Sequence, residues 1–339
     1  MNARGDRRRA GLRRQRRRGY GVARLLVATP AMVGSLLLLL VLCSWAGQWE
    51  ALLLLAWLAS AAAVFTPVGE RAAVRWACGF VRPSARQRAQ LEPAWHRVLG
   101  RCGVNPGDVD LYLQRSRAVN AFTAGGRSVA LTTGAQAEFV KPHLVQHPEL
   151  PANTARVEAL LAHELGHWAG NGTSIGLVTA WLAAPWRFVS RLFLALSLAF
   201  AHRQPRRLLA LLVVAVVGVA VVQAIQHGQH TVAALLICLA AAGVACPLAD
   251  AALSRREEYA ADRYAAHAGY GPDLAAALVN LDTGSEHRSP GLLDRLTARH
   301  PSVAQRLDAL YELELASVEV LRPPTILTAA VAESAAAVR

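Results

Sequence analysis

The 339-residue sequence predicts a mainly α-helical integral membrane protein, with two transmembrane hairpins and a cytoplasmic α+β domain that carries a small sheet. Three observations predict it. Only 17% of the residues are charged and the mean hydropathy is positive, which is unlike a typical soluble chain. Four apolar stretches, 25–46, 51–68, 208–226 and 231–253, are each near the length needed to cross about 30 Å of hydrocarbon. The arginine groups between them fall on one side if the stretches pair as hairpins.

Residues 1–24 hold ten arginines against one aspartate, which is +9 of the net +13. A block such as Arg7, Arg8, Arg9 and Arg16, Arg17, Arg18 can bind nucleic acid electrostatically. The apolar stretch directly behind it favours a basic cytoplasmic tail ahead of an anchor, so no specific nucleic acid is expected and the lipid bilayer is the partner. The stretch exceeds the roughly 7–15 apolar residues of a signal peptide, and no convincing A-x-A site follows it. After the first hairpin (25–68) come Arg71, Arg75, Arg82, Arg86 and Arg88. Arg203, Arg206 and Arg207 precede the second hairpin (208–253), and Arg255 and Arg256 follow it. The opposite connections, Gly47 to Glu50 and His227 to His230, carry no Lys or Arg. The N-terminus, residues 70–174 and residues 254–339 are therefore expected in the cytoplasm. Lys141 is the only lysine, a bias of GC-rich genomes that suggests a bacterial plasma membrane.

A further apolar segment, 175–200, is interrupted by Pro185, Arg187 and Arg191. Charges are costly at bilayer depth, so an interfacial helix is expected there, with an extra span as the alternative. In 70–174, Val109 to Gln114 and Arg127 to Thr133 alternate as strands about a Gly125-Gly126 turn. From Asn153 the pattern becomes helical, with Val157, Leu160, Leu161 and Leu165 on one face and Asn153 or Thr154 as N-cap. Residues 254–321 read as two or three helices broken at Gly269–Pro272, Gly284–Gly291 and His300-Pro301. Residues 322–339 read as a frayed, alanine-rich tail. Five cysteines without CxxC spacing indicate neither a disulfide framework nor a cysteine metal site.

The chemistry concentrates in two runs. His163 and His167 of HELGH stand one turn apart on a helix, so both imidazoles can reach one Zn²⁺, with Glu164 beside the open position. A catalytic zinc takes three protein ligands and leaves one position for water. Thr173 stands where HExxHxxGxxH would need a third histidine. The run Ser254-Arg255-Arg256-Glu257-Glu258-Tyr259-Ala260-Ala261-Asp262 instead puts Glu258 and Asp262 on one helical face. That suits a carboxylate ligand and an aspartate that orients a metal-bound imidazole. His143, His147, His227, His230 and His287 lack a carboxylate at helical spacing and read as surface or loop residues. Asp250, inside the last apolar stretch, either faces the bundle interior or marks where the helix leaves the membrane.

Over about residues 95–315 the chain resembles the HtpX-like membrane metalloproteases, gluzincins related to the CAAX prenyl proteases and to mitochondrial quality-control proteases. HELGH (163–167), SRREEYAAD (254–262), NAFTAGG (120–126) and HPSVAQR (300–306) carry the likeness. The resemblance implies a gluzincin-type zinc protease domain with one catalytic Zn²⁺ on His163, His167 and Glu258, the glutamate directly before the tyrosine, in preference to Glu257. It implies Glu164 as general base, Asp262 and Arg306 behind the ligands, and His300 near the oxyanion or behind the ligands. It also implies Asn120, Ala121 and Phe122 at an edge strand that binds substrate backbone. The order Thr123-Ala124 departs from the Ala-Thr more common among relatives. The expected substrates are membrane proteins, their cytoplasmic segments or other peptides, in quality control. Maturation of lipidated peptides and a non-catalytic scaffold are the alternatives, and the sequence does not determine the oligomeric state.

Overall fold

In the computed structural model, residues 3–139, 154–170, 172–200, 206–282 and 296–320 are described. Helix α1 (Ala3–Cys43) joins the arginine block and the first apolar stretch into one rod. A 3₁₀ segment, Ser44–Trp49, turns the chain at Gly47, whose φ of +57° is open to glycine at no steric cost. Helix α2 (Glu50–Ala63) then packs back on α1. The second apolar helix ends five residues before the expected 68. There Thr66 accepts a hydrogen bond from the Gly69 amide, and Pro67 opens α3 (Pro67–Ala77), a start signal that overrides continued apolarity.

The soluble part is built around a four-stranded sheet in the order β1 (Phe80–Val81), β2 (Asp110–Gln114), β4 (Ser128–Thr132), β3 (Ala121–Ala124). The two expected strands, β2 and β4, lie side by side and parallel. β3 pairs antiparallel with β4 and forms one edge. The turn before β4 is possible because Gly125 adopts φ +69°. Glu70, buried in α3, clamps that turn by accepting from the Arg127 amide at 2.8 Å and the Ser128 hydroxyl at 3.2 Å.

Helices α4 (Ala85–Cys102), α5 (Thr133–Phe139) and α6 (Thr154–Ala169) cover the sheet. Leu91, Trp95 and Leu99 of α4 meet Leu113, Leu131, Leu161 and Leu165 in one core. Each such side chain contributes about 1.5–3 kcal/mol on burial. α4 starts with a Ser84/Gln87 capping box and stops at Gly103 in the left-handed region. The HELGH run therefore lies on α6, as expected, with one face locked into the core and His163 and Glu164 buried on the other.

Segment 175–200 is two helices rather than one, α7 (Gly172–Leu182) and α8 (Ala184–Phe200), broken at Ala183. Both pack along α1, where the Trp186 amide donates to Ser35 and Gly34 makes room for the indole ring. Helix α9 (Arg206–Gln226) packs against α10 (His230–Ala265), so the apolar stretch and the EEYAAD run share one 36-residue helix. A π-turn, Ala266–Tyr270, ends it, and α11 (Gly271–Asp282) and α12 (Val303–Val320) follow. Among the described residues, Gly21–Ala63 and His230–Asn280 are long and apolar enough to cross a membrane. Only 11% and 6% of their most apolar windows are buried inside the protein. The expected tail at 322–339, and His143, His147 and His287, lie outside the described residues.

Helices α6 and α10 touch through Gly166, where an added Cβ would stand 2.7 Å from the Ala261 Cα. Ordinary helix propensity favours Ala over Gly by about 1 kcal/mol, but here the new methyl meets backbone. Gly166→Ala is expected to be destabilising by about 1–3 kcal/mol, seen as a lower melting temperature. An unchanged or higher value would contradict this packing.

Candidate metal centre

The close approach of α6 and α10 brings together three donor groups separated by up to 95 residues. His163 Nε2 lies 3.2 Å from His167 Nε2, and the Glu258 carboxylate oxygens lie 3.5 Å and 3.6 Å from the two imidazoles. Donors bound at about 2.0–2.1 Å to one tetrahedral ion stand about 3.3–3.4 Å apart. One donor atom from each of the three residues lies within 4.8 Å of the others, close enough for the group to hold a single metal ion. The two rings cross nearly at right angles, at 88°. Glu257, the neighbouring acid, turns away and pairs with Arg24 of α1.

Behind the donors the charges are paired. His163 Nδ1 donates to Asp262 Oδ1 at 2.8 Å, which leaves Nε2 facing the site. Arg306 of α12 grips Asp262 with two bonds of 2.6 and 2.8 Å and approaches Glu258 to 3.4 Å. His300, exposed at the rim, places Nδ1 2.9 Å from Glu258 Oε1. Its segment is tied to α10 by the Arg299–Asp250 ion pair and by Arg255, which donates to the Ala298 carbonyl. Asp250 thereby has a partner in this segment.

Burial alone would lower the His163 pKa, but hydrogen bonds to Asp262 and Glu258 push it up to about 9. Burial also tends to raise Glu258. The bonds from His163 and His300 win and hold it well below the usual carboxylate range. His167 is lowered by burial and by the adjacent His163. A cation held by the three donors would have to displace the proton that these hydrogen bonds favour on His163.

The site floors a cleft of about 1120 Å³. Asn120, Ala121 and Phe122 line it, and among the described residues the outer backbone edge of β3 has no strand partner. Glu164 reaches the cleft beside the histidines and receives the Thr123 hydroxyl. Trp168 Nε1 donates to the Gly126 carbonyl at 2.7 Å, joining α6 to the β3–β4 turn. The contacts of Thr123, Trp168, Glu70 and Arg24 have no signature in the sequence, because each depends on chain segments brought together only by folding.

The profile of peptidase family M48 matches residues 85–314. The HtpX proteases of Legionella pneumophila strains Lens and Corby are each 27% identical over 183 residues, covering 52% of this chain and 53% of theirs. The chain thus spans about half the length of the curated relatives it matches. Among solved structures, the crystal structure of S. mikatae Ste24p aligns with a TM-score of 0.39 and 20% identity, over 68% of this chain and 51% of that one.

Two outcomes follow for the purified protein. Glu258→Gln is expected to reduce bound zinc well below one ion per chain, whereas Glu257→Gln leaves it unchanged, as metal analysis after dialysis will show. Equal content in the two variants would contradict the donor set. In metal-free protein the raised His163 pKa stabilises the fold fully below about 6.5 and ceases to do so as pH rises through about 9. Thermal melts of chelated wild type should therefore fall across that window more steeply than those of Asp262→Asn, in which the carboxylate that holds the proton is gone.

Proposed function

The chain belongs to peptidase family M48, and on that premise we propose that it is a membrane-embedded zinc endopeptidase acting at the cytoplasmic face of a bacterial plasma membrane. The observation that carries the reading is the convergence of His163, His167 and Glu258, whose donor atoms lie within 4.8 Å of one another, with Glu164 beside them in a cleft bordered by the β3 edge. Bound zinc would polarise the scissile carbonyl and acidify a water molecule. Glu164 takes the proton of that water and returns it to the leaving amine. Asp262, steadied by Arg306, keeps His163 in the tautomer that offers Nε2. His300 and Arg306, both on Glu258, put positive charge beside the donor set, where it would favour a developing oxyanion.

An extended peptide adds to the free edge of β3 by main-chain hydrogen bonds, which gives affinity without reading much sequence. That suits quality control of membrane proteins and their cytoplasmic segments. Four spans, α1, α2, α9 and the first part of α10, are supported by the apolar side chains they leave exposed, such as Leu37, Leu42, Leu55, Val216, Val219, Leu235 and Leu239. So much contiguous apolar surface is unfavourable in water. The orientation rests on the positive-inside distribution of arginine, and α8, with Arg187 and Arg191, is read as interfacial.

Detergent-purified, zinc-loaded protein is expected to cleave casein or itself, and Glu164→Gln to lose about 10²–10⁴-fold in rate while retaining one zinc. Equal cleavage by the two proteins would refute the assignment.

A further inference from the structure

Thr123 lies on β3, and the alternation of a strand sends residues 121 and 123 to one face and 122 and 124 to the other. Ala121 is buried in the core that includes α6. Ala124 packs on the opposite side, against the cluster of Val74, Phe80, Tyr112 and Ala130. Position 123 is therefore the place on the edge strand from which a short side chain reaches the HELGH helix beside the metal donors. Its hydroxyl oxygen stands 2.8 Å from the Glu164 carbonyl oxygen and 2.8 Å from Glu164 Oε2. Both contacts belong to one residue, so the hydroxyl fixes the Glu164 side chain relative to its own backbone.

We propose that Thr123 is a positioning residue for Glu164, pinning Oε2 so that Oε1 alone faces the reacting water. This rests on the reading of Glu164 as the base that activates that water. A carboxylate on two flexible methylenes samples several rotamers, and a base misplaced by about 1 Å can lose on the order of 10²-fold in rate. A hydroxyl is both donor and acceptor. It donates to Oε2 when the carboxylate is charged. It accepts from a neutral carboxyl group while turning its own proton to the carbonyl, whose second lone pair is free beyond the helical bond. The contact therefore lasts through a cycle in which Glu164 gains and loses a proton. Because β3 is also the edge on which the peptide would lie, the same strand that receives the substrate sets the base against it.

The test uses the full zinc-loaded chain in detergent, with a quenched-fluorescence peptide for kinetics and a peptide hydroxamate for calorimetry. Thr123→Val keeps the shape and removes the hydroxyl, and Thr123→Ser restores it. The exchange Thr123→Ala with Ala124→Thr keeps the composition and moves the hydroxyl to the wrong face. Thr123→Val and the exchange are expected to lower kcat about tenfold with KM within about twofold, and Thr123→Ser to stay within about threefold of wild type. Hydroxamate binding should weaken on Thr123→Val in the wild-type background and stay unchanged when Glu164→Gln is already present, since the effect passes through that carboxylate. A Thr123→Val protein that matches wild type overturns the proposal, as does equal weakening in both backgrounds. If Thr123→Val fails to fold, the exchange and the serine variant decide by the same criteria. Full activity in Glu164→Gln would remove the underlying reading instead, a result that none of the Thr123 outcomes imitates.

Discussion

The approach of α6 to α10 at Gly166 and Ala261 is the contact on which the rest depends. Two helices usually pack with axes about 8–10 Å apart, and a glycine facing backbone draws them to the near limit. At that separation the imidazoles of one helix and the carboxylate of the other share a single point. The chain between them, 168–257, contains α9 and all of α10 that precedes Glu258. The donor set therefore closes only when these helices have folded. Because Glu258 lies on the same unbroken helix as the apolar stretch from His230, the metal centre is held at a fixed height above it. On the proposed reading that height is the cytoplasmic surface of the bilayer, which makes membrane proteins the substrates within reach.

The second constraint is electrostatic. Glu164, Glu258 and Asp262 bring three carboxylates into a buried space, an arrangement that is costly unless each is paired. Arg306 supplies one compensating charge, and a divalent ion would balance the other two. The hydrogen bonds from His163 and His300 to Glu258 oppose the effect of burial and hold that carboxylate below its usual range. The same network positions the groups chemically, because a carboxylate gripped by two Arg306 bonds cannot rotate away from His163.

Much of the site is legible in the sequence, because the i,i+4 spacing of an α-helix turns order along the chain into position on a face. His163 with His167, and Glu258 with Asp262, are such pairs. The choice of Glu258 over Glu257 came from family likeness, and its physical reason lies in the fold, where Arg24 draws Glu257 to the other side. The β2 and β4 strands were legible from their alternation, whereas β1 and β3, at two and four residues, are too short to carry a period. The break at Ala183 has no Gly, and Pro185 lies two residues beyond it. Pro185 is the local signal, since it has no N–H to continue the ladder of α7 and is tolerated in the first turn of α8. In the sequence Thr123 stands out only by departing from the Ala-Thr order of relatives, and its reach to Glu164 depends on how the fold sets β3 against α6.

The central claim is that two imidazoles from one helix and one carboxylate from another hold a single zinc ion without sulfur. X-ray absorption at the zinc edge of the detergent-purified protein tests it most directly. The account predicts a first shell of about four nitrogen and oxygen neighbours at about 2.0–2.2 Å, two of them with the outer scattering of imidazole. A sulfur neighbour at about 2.3 Å, or a single imidazole, would contradict it.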